Sequence, residues 1–149
     1  MKTKWISQNP RTLAIVFDAG DEVMAGLAKA ACEYKLAASQ FTAIGAFQSV
    51  TLGFFDLAKK DYRKTVVGEQ VEALSLIGDI CLKDSEPQIH AHAVVGLADA
   101  TTRGGHLINA IVRPTLEVIL VESPTHLKRR LDPNVGLALI DLSAESKIE

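Results

Sequence analysis

Apolar residues run in short blocks whose period changes along the chain, and each change marks an element. The block RTLAIVF (11–17), β-branched and apolar, bounded by Pro10 and by DAGD, predicts a first strand. In the following DEVMAGLAKAACEYKLA, the residues Met24, Leu27, Ala28, Ala31 and Tyr34 recur at helical spacing. Asp21 is placed as the N-cap and Glu22 beside the positive end of the helix dipole. From Phe41 to Leu57 the text FTAIGAFQSVTLGFFDL turns to β-branched and aromatic residues, punctuated by Gly45 and Gly53, as strands with bulges or bends are. KKDYRK reads as a polar turn. Further strands are expected at Lys64–Val67, Val71–Leu82 and Gln88–Leu97, separated by Gly68-Glu69 and by KDSEP.

GGHLINAIV, entered through two glycines, predicts a second short helix, and after Pro114 the run TLEVILVE predicts another strand. The tail SPTHLKRRLDPNVGLALIDL holds a basic cluster, a DPN turn and a last apolar segment. This order predicts an α+β domain in which two main helices pack on a mostly antiparallel sheet. With 149 residues and no repeat, linker or low-complexity tract, the expectation is a single domain over 1–149.

Composition narrows the function classes. Apolar residues make up 48% of the chain and charged ones 23%, which fits a compact core and argues against disorder. No uninterrupted apolar run approaches the roughly 20 residues that cross a bilayer, and MKTKWISQNP lacks the apolar stretch of a signal peptide, so a cytoplasmic address without membrane contact is expected. Cys32 and Cys81 are isolated thiols without CxxC spacing and read as small buried hydrophobes. The net charge of −2, from 16 basic and 18 acidic residues, argues against autonomous nucleic-acid binding, which favours a basic excess.

The chemistry concentrates in IHAHAVVGLADATTRGGHLINA (89–110), which carries three of the chain's four histidines. His90 and His92, two apart in an expected strand, leave the same face with Cα atoms about 6.5–7 Å apart. His106 follows a turn and starts the expected second helix, where Gly104 and Gly105 let the backbone approach the pair. Three neutral imidazoles with a fourth position open to water or a ligand suit zinc or another divalent transition metal. Hydrogen-bonded packing histidines are the alternative on spacing alone.

Other catalytic signatures are missing. No serine sits in a GxSxG elbow, and TRGGH matches neither GxxxxGK[ST] nor GxGxxG. HLKRRL (126–131) reads as a solvated or salt-bridged surface, with His126 solvated. Glu72, Glu117 and Glu122 fall in expected strands, where a carboxylate needs solvent, a partner or a metal. Glu117 interrupts an apolar run and is the carboxylate to follow. Arg103, Gly104, Gly105 and Glu117 are the candidate ligand-contacting residues around the histidines.

In order, IGAFQSVTLGFFD, EALSLIGDICL, PQIHAHAVVGLADATTRGGHL, LEVILVE and LKRRLDPNVGLALI resemble the plants-and-prokaryotes conserved (PPC) domain over about 11–142. The HxH followed by GGHL is the most specific part. The resemblance implies an α+β fold assembled as a homotrimer, with His90, His92 and His106 as a metal site. In plants the domain accompanies an AT-hook, an Arg-Gly-Arg-Pro segment that enters the minor groove. No such segment occurs in these 149 residues, so DNA binding is expected to be weak and non-specific. The expected function is therefore a homotrimeric binding module with a three-histidine metal or ligand site. The alternative is a metal-dependent, zinc-type enzyme in which the same histidines hold the ion and a carboxylate such as Glu117 moves protons.

Overall fold

The computed structural model describes residues 1–144. Among these are nine strands and one helix. A first hairpin joins β1 (Lys2–Gln8) to β2 (Arg11–Asp18), and the helix α1 (Val23–Tyr34) follows. The strands β3 (Ala38–Asp56), β4 (Asp61–Val67), β5 (Val71–Lys83), β6 (Glu86–Gly96) and β7 (Thr102–Glu122) come next, and a short hairpin of β8 (Arg129–Asp132) and β9 (Leu137–Ile140) ends the fold.

Seven strands form one antiparallel sheet in the order β1-β2-β7-β6-β5-β3-β4, and β7 also pairs with β3. That extra ladder closes β3, β5, β6 and β7 into a ring. Its interior takes the inward-pointing residues of each strand, including Phe41, Phe47, Leu76, Ile80, Val95 and Leu116. Alternation along β6 is strict near the middle: Ala91, Ala93 and Val95 are buried while His92 and Val94 face out.

The α1 helix lies against β6 and β7 and buries Val23, Leu27, Ala30 and Ala31. Its N-cap is Glu22, not Asp21. The Glu22 carboxylate accepts hydrogen bonds from the amides of Met24 and Ala25, and also from Ala110 of β7, so one side chain caps the helix and ties it to the sheet. Asp21 instead accepts from the Asp18 amide and pairs with the amino terminus. The helix stops at Lys35, whose left-handed φ of 53° turns the chain toward β3.

The expected second helix is absent. GGHLINAIV lies inside β7, a strand of 21 residues, so the fold is mostly β with one short helix and not an α+β layer of two. The segment's apolar residues satisfy a helical spacing, but Ile108, Ile111 and Val112 are β-branched, and β3 offers a 19-residue partner along nearly its whole length. Register shifts at Gly45/Phe47, Phe47/Ser49 and Thr51/Leu52 bend the β3–β7 pair and spoil the simple two-residue period by which a strand is recognised. The first strand, Lys2–Gln8, was not expected from the sequence. Cys81 is buried as expected, whereas Cys32 is exposed on α1. No described helix is long and apolar enough to cross a membrane.

Candidate metal centre

A five-residue connection, 97–101, joins β6 to β7, held by the Leu97 amide on the Thr101 carbonyl and by Asp99, which accepts from the Thr101 amide and hydroxyl. The hairpin register sets His92 directly opposite His106. His90 is two residues along β6 on the same face. Two same-face positions on one strand and one cross-strand partner thus make a triangle.

The three rings meet closely. Centroids are 5.0 Å apart for His90–His92, 5.2 Å for His90–His106 and 5.5 Å for His92–His106. One ring nitrogen from each lies within 4.8 Å of the other two. Ligation by a tetrahedral ion at about 2.0–2.1 Å requires nitrogens about 3.4 Å apart, a contraction within reach of small side-chain rotations. His106 stacks on Tyr62 of β4 with centroids 4.6 Å apart, and Tyr62 in turn meets Phe55 edge-on.

The Nδ1 atom of His106 is buried without a hydrogen-bond partner, an arrangement costly for a packing histidine and suited to a ligand. Burial first, then the neighbouring His90 and His92, pushes the His106 pKa down to about 4. Burial likewise lowers His92. Both rings are neutral near pH 7, the form that coordinates metals. The donor set fits a divalent transition ion, with His90, His92 and His106 as the residues that would hold it.

Glycines shape the surroundings. A Cβ on Gly105 would stand 2.7 Å from the Gly53 carbonyl oxygen, so close packing of β7 on β3 beside His106 requires its absence. A Cβ on Gly78 would lie 2.4 Å from both the His90 carbonyl and the Phe41 ring. A cleft of about 720 Å³ adjoins the histidines, lined by His90, His92, Asp79 and the apolar Phe41, Ile77 and Ile119.

The other candidates sit differently. Arg103 and Gly104 are exposed on the same hairpin, opposite Val95 and Val94. Glu117 is exposed on β7 opposite Val16 and Ile44, eleven residues along the strand from His106, and is not among the residues that converge on the histidines. The buried carboxylate is Glu122, which accepts hydrogen bonds from the amides of Ala37 and Ala38 and from the Ser39 hydroxyl. Two arginines of the basic cluster form ion pairs: the buried side chain of Arg129 with Asp79 at 2.6 Å and the exposed Arg130 with Asp141 at 2.9 Å.

Three neighbours of the histidines escaped the sequence reading. Tyr62 is in KKDYRK, expected as a turn but part of β4, and Arg129 is in HLKRRL, expected as a solvated or salt-bridged surface; the ion pair is there, and only its place beside His90 is unexpected. Asp79 is the third, and an acid inside the apolar strand SLIGDICL carries the same signal as Glu117 in its own apolar run. Burial alone would raise the Asp79 carboxyl, but its contacts with His90, Arg129 and Cys81 outweigh it and hold the pKa at about 2. At 3.7 Å the His90 contact is longer than a hydrogen bond, so the 2.6 Å Arg129 contact is the stronger hold.

Residues 6–124 match the model of the Plants and Prokaryotes Conserved (PCC) domain. Several solved structures are similar, among them the following three. A metal-containing protein from Archaeoglobus fulgidus is 33% identical, with a TM-score of 0.81 over 87% of this chain and 92% of its own. A plant- and prokaryote-conserved protein from Pyrococcus horikoshii is 29% identical, with a TM-score of 0.83 over 88% and 91%. A candidate DNA-binding protein from Ralstonia eutropha is 27% identical, with a TM-score of 0.85 over 93% and 96%. No curated protein sequence matches the chain.

Proposed function

The chain belongs to the Plants and Prokaryotes Conserved (PCC) domain family, and from that premise we propose that residues 1–149 act as one homotrimeric binding module whose His90, His92 and His106 hold zinc or another divalent transition metal. The observation that carries the metal reading is the convergence of three ring nitrogens, one from each histidine, within 4.8 Å of one another. The metal-containing relative from Archaeoglobus fulgidus supports it. Three imidazoles leave a coordination position for a small ligand, whose apolar part would lie against Phe41, Ile77 and Ile119 in the adjoining cleft.

Self-association is supported by the outward sheet face. Ile44, Leu74, Ile77, Val94 and Ile119 are exposed there around His92, and the single helix does not cover them. An apolar face of this kind marks an interface. DNA is proposed as a weak, non-specific partner, in line with the Ralstonia eutropha relative, and trimerisation would multiply weak phosphate contacts. The net charge of −2, from 16 basic and 18 acidic residues, gives no basic excess to support tight binding.

Elemental analysis of untagged protein tests the centre. About one divalent ion per chain is expected for wild type, and none for His90→Ala, His92→Ala or His106→Ala, while His126→Ala keeps it. Wild type that takes up no zinc, nickel or cobalt at micromolar concentration would return the histidines to a packing role.

A further inference from the structure

Arg129 reaches the centre from beyond the family match, which ends at residue 124. Its side chain is 7% exposed; the guanidinium donates to the Ala138 carbonyl at 3.0 Å within the β8–β9 hairpin and to Asp79 Oδ1 at 2.6 Å, which anchors the hairpin to β5. Asp79 stands directly opposite His90 in the β5–β6 register. His90 Nδ1 therefore faces two groups: Asp79 Oδ2 at 3.7 Å and Arg129 Nη2 at 3.4 Å.

These neighbours demand opposite tautomers. A guanidinium only donates, so toward Arg129 the Nδ1 atom must be a bare acceptor. A carboxylate only accepts, so toward Asp79 it must carry the proton. Once Nε2 uses its lone pair on an ion, the proton has to sit on Nδ1, and of the two groups that face Nδ1 only the Asp79 carboxylate accepts; from 3.7 Å a small side-chain rotation brings it within hydrogen-bond distance. We propose that Asp79, clamped by Arg129 of the C-terminal hairpin, is the positioning carboxylate of the metal centre, selecting the Nδ1-protonated form of His90 and turning Nε2 toward the ion. This rests on the metal reading above. Neither residue touches the ion. A carboxylate behind a ligating histidine raises its basicity and fixes its ring, and losing one typically weakens metal binding about 10- to 100-fold.

The test uses the full chain with zinc. Chelator competition on wild type, Asp79→Asn and Arg129→Met measures affinity, and nitrogen-15 NMR of the histidine rings in the zinc-loaded wild type reads the His90 tautomer. Zinc on Nε2 with a proton on Nδ1 is expected, as are affinity losses of about 10- to 100-fold for Asp79→Asn and a smaller loss for Arg129→Met. Asp79→Glu, which keeps the carboxylate, should recover part of the loss where a merely structural role would not. Zinc on His90 Nδ1, or Asp79→Asn binding as tightly as wild type, overturns the proposal while leaving the metal centre standing. Wild type that binds no zinc removes both. If Asp79→Asn does not fold, the tautomer in wild type and the affinity of Asp79→Glu decide.

Discussion

Replacing Glu122 with alanine should cost far more than replacing it with glutamine. Glu122 is 7% exposed and accepts from the Ala37 amide at 2.9 Å, the Ala38 amide at 3.3 Å and the Ser39 hydroxyl. All three donors are buried at the start of β3, where the chain leaves α1. Alanine leaves both amides without an acceptor. Each unsatisfied buried group costs about 1–3 kcal/mol, while the hydroxyl can rotate to a new partner, so the expected loss is about 4 kcal/mol. Glutamine keeps a carbonyl oxygen for the amides and loses the charge, so about 1–2 kcal/mol is expected. Urea unfolding followed by circular dichroism reads this directly. With a slope of roughly 2 kcal/mol per molar, alanine should lower the midpoint by about 2 M and glutamine by less than 1 M. Zinc stoichiometry in either variant should be unchanged, because Glu122 lies on β7 far along the strand from His106. Equal midpoints for the two variants, or a loss under 1 kcal/mol for alanine, would refute the account of Glu122 as the acceptor for this junction.

Four further outcomes are expected. The His106 pKa falls from 6.5 unfolded to about 4 folded, so the unfolded chain binds the extra proton between these values; metal-free protein should lose stability as pH drops from about 6.5 to 4, and His106→Phe, which keeps the stacking on Tyr62, should flatten that slope in pH-dependent melting. Gly78→Ala should destabilise by about 1–3 kcal/mol and lower zinc occupancy, since its Cβ would press the His90 carbonyl and the Phe41 ring, as melting and elemental analysis would record. Light scattering should give about three times 16.1 kDa, and a monomer mass at micromolar concentration would contradict the exposed apolar face as an interface. Gel shifts should show little DNA bound near 150 mM salt, and sequence-selective binding surviving 200 mM would contradict the charge argument.

Much of the β architecture was legible because β-branched blocks between glycine, proline and polar turns identify strands whatever they pair with. RTLAIVF, the SLIGDICL region and the HAH strand were all recognisable in this way. What the local text did not carry was the ring closure. Leu107, Ala110 and Ile111 suit a helix face as well as a bulged strand, and only the 19-residue β3 beside them decides the matter. The β1 strand is not predicted for a related reason: its exposure alternates at an edge, with Trp5 half-buried between the exposed Lys4 and Ile6, and KTKWISQ offers no apolar block longer than Trp5 and Ile6.

The histidine triangle was anticipated even though one of its supporting elements was misread, and the reason is geometric. What brings His106 to His92 is the equality of their distances from the 97–101 connection, each separated from it by four residues. Any tight return between those ends juxtaposes them. A helix beginning at Gly104 would have brought His106 near the pair in only one orientation of its first turn, whereas a strand does so by register and holds the ring between Tyr62 and His90. The residues behind His90 have no such local logic. Asp79 is 11 residues before His90 across one hairpin, but Arg129 is 39 residues beyond it and arrives only because the β8–β9 hairpin folds back on β5. Ligands supplied by one hairpin can therefore be read from sequence spacing, while the residues that orient those ligands depend on contacts that the spacing does not encode.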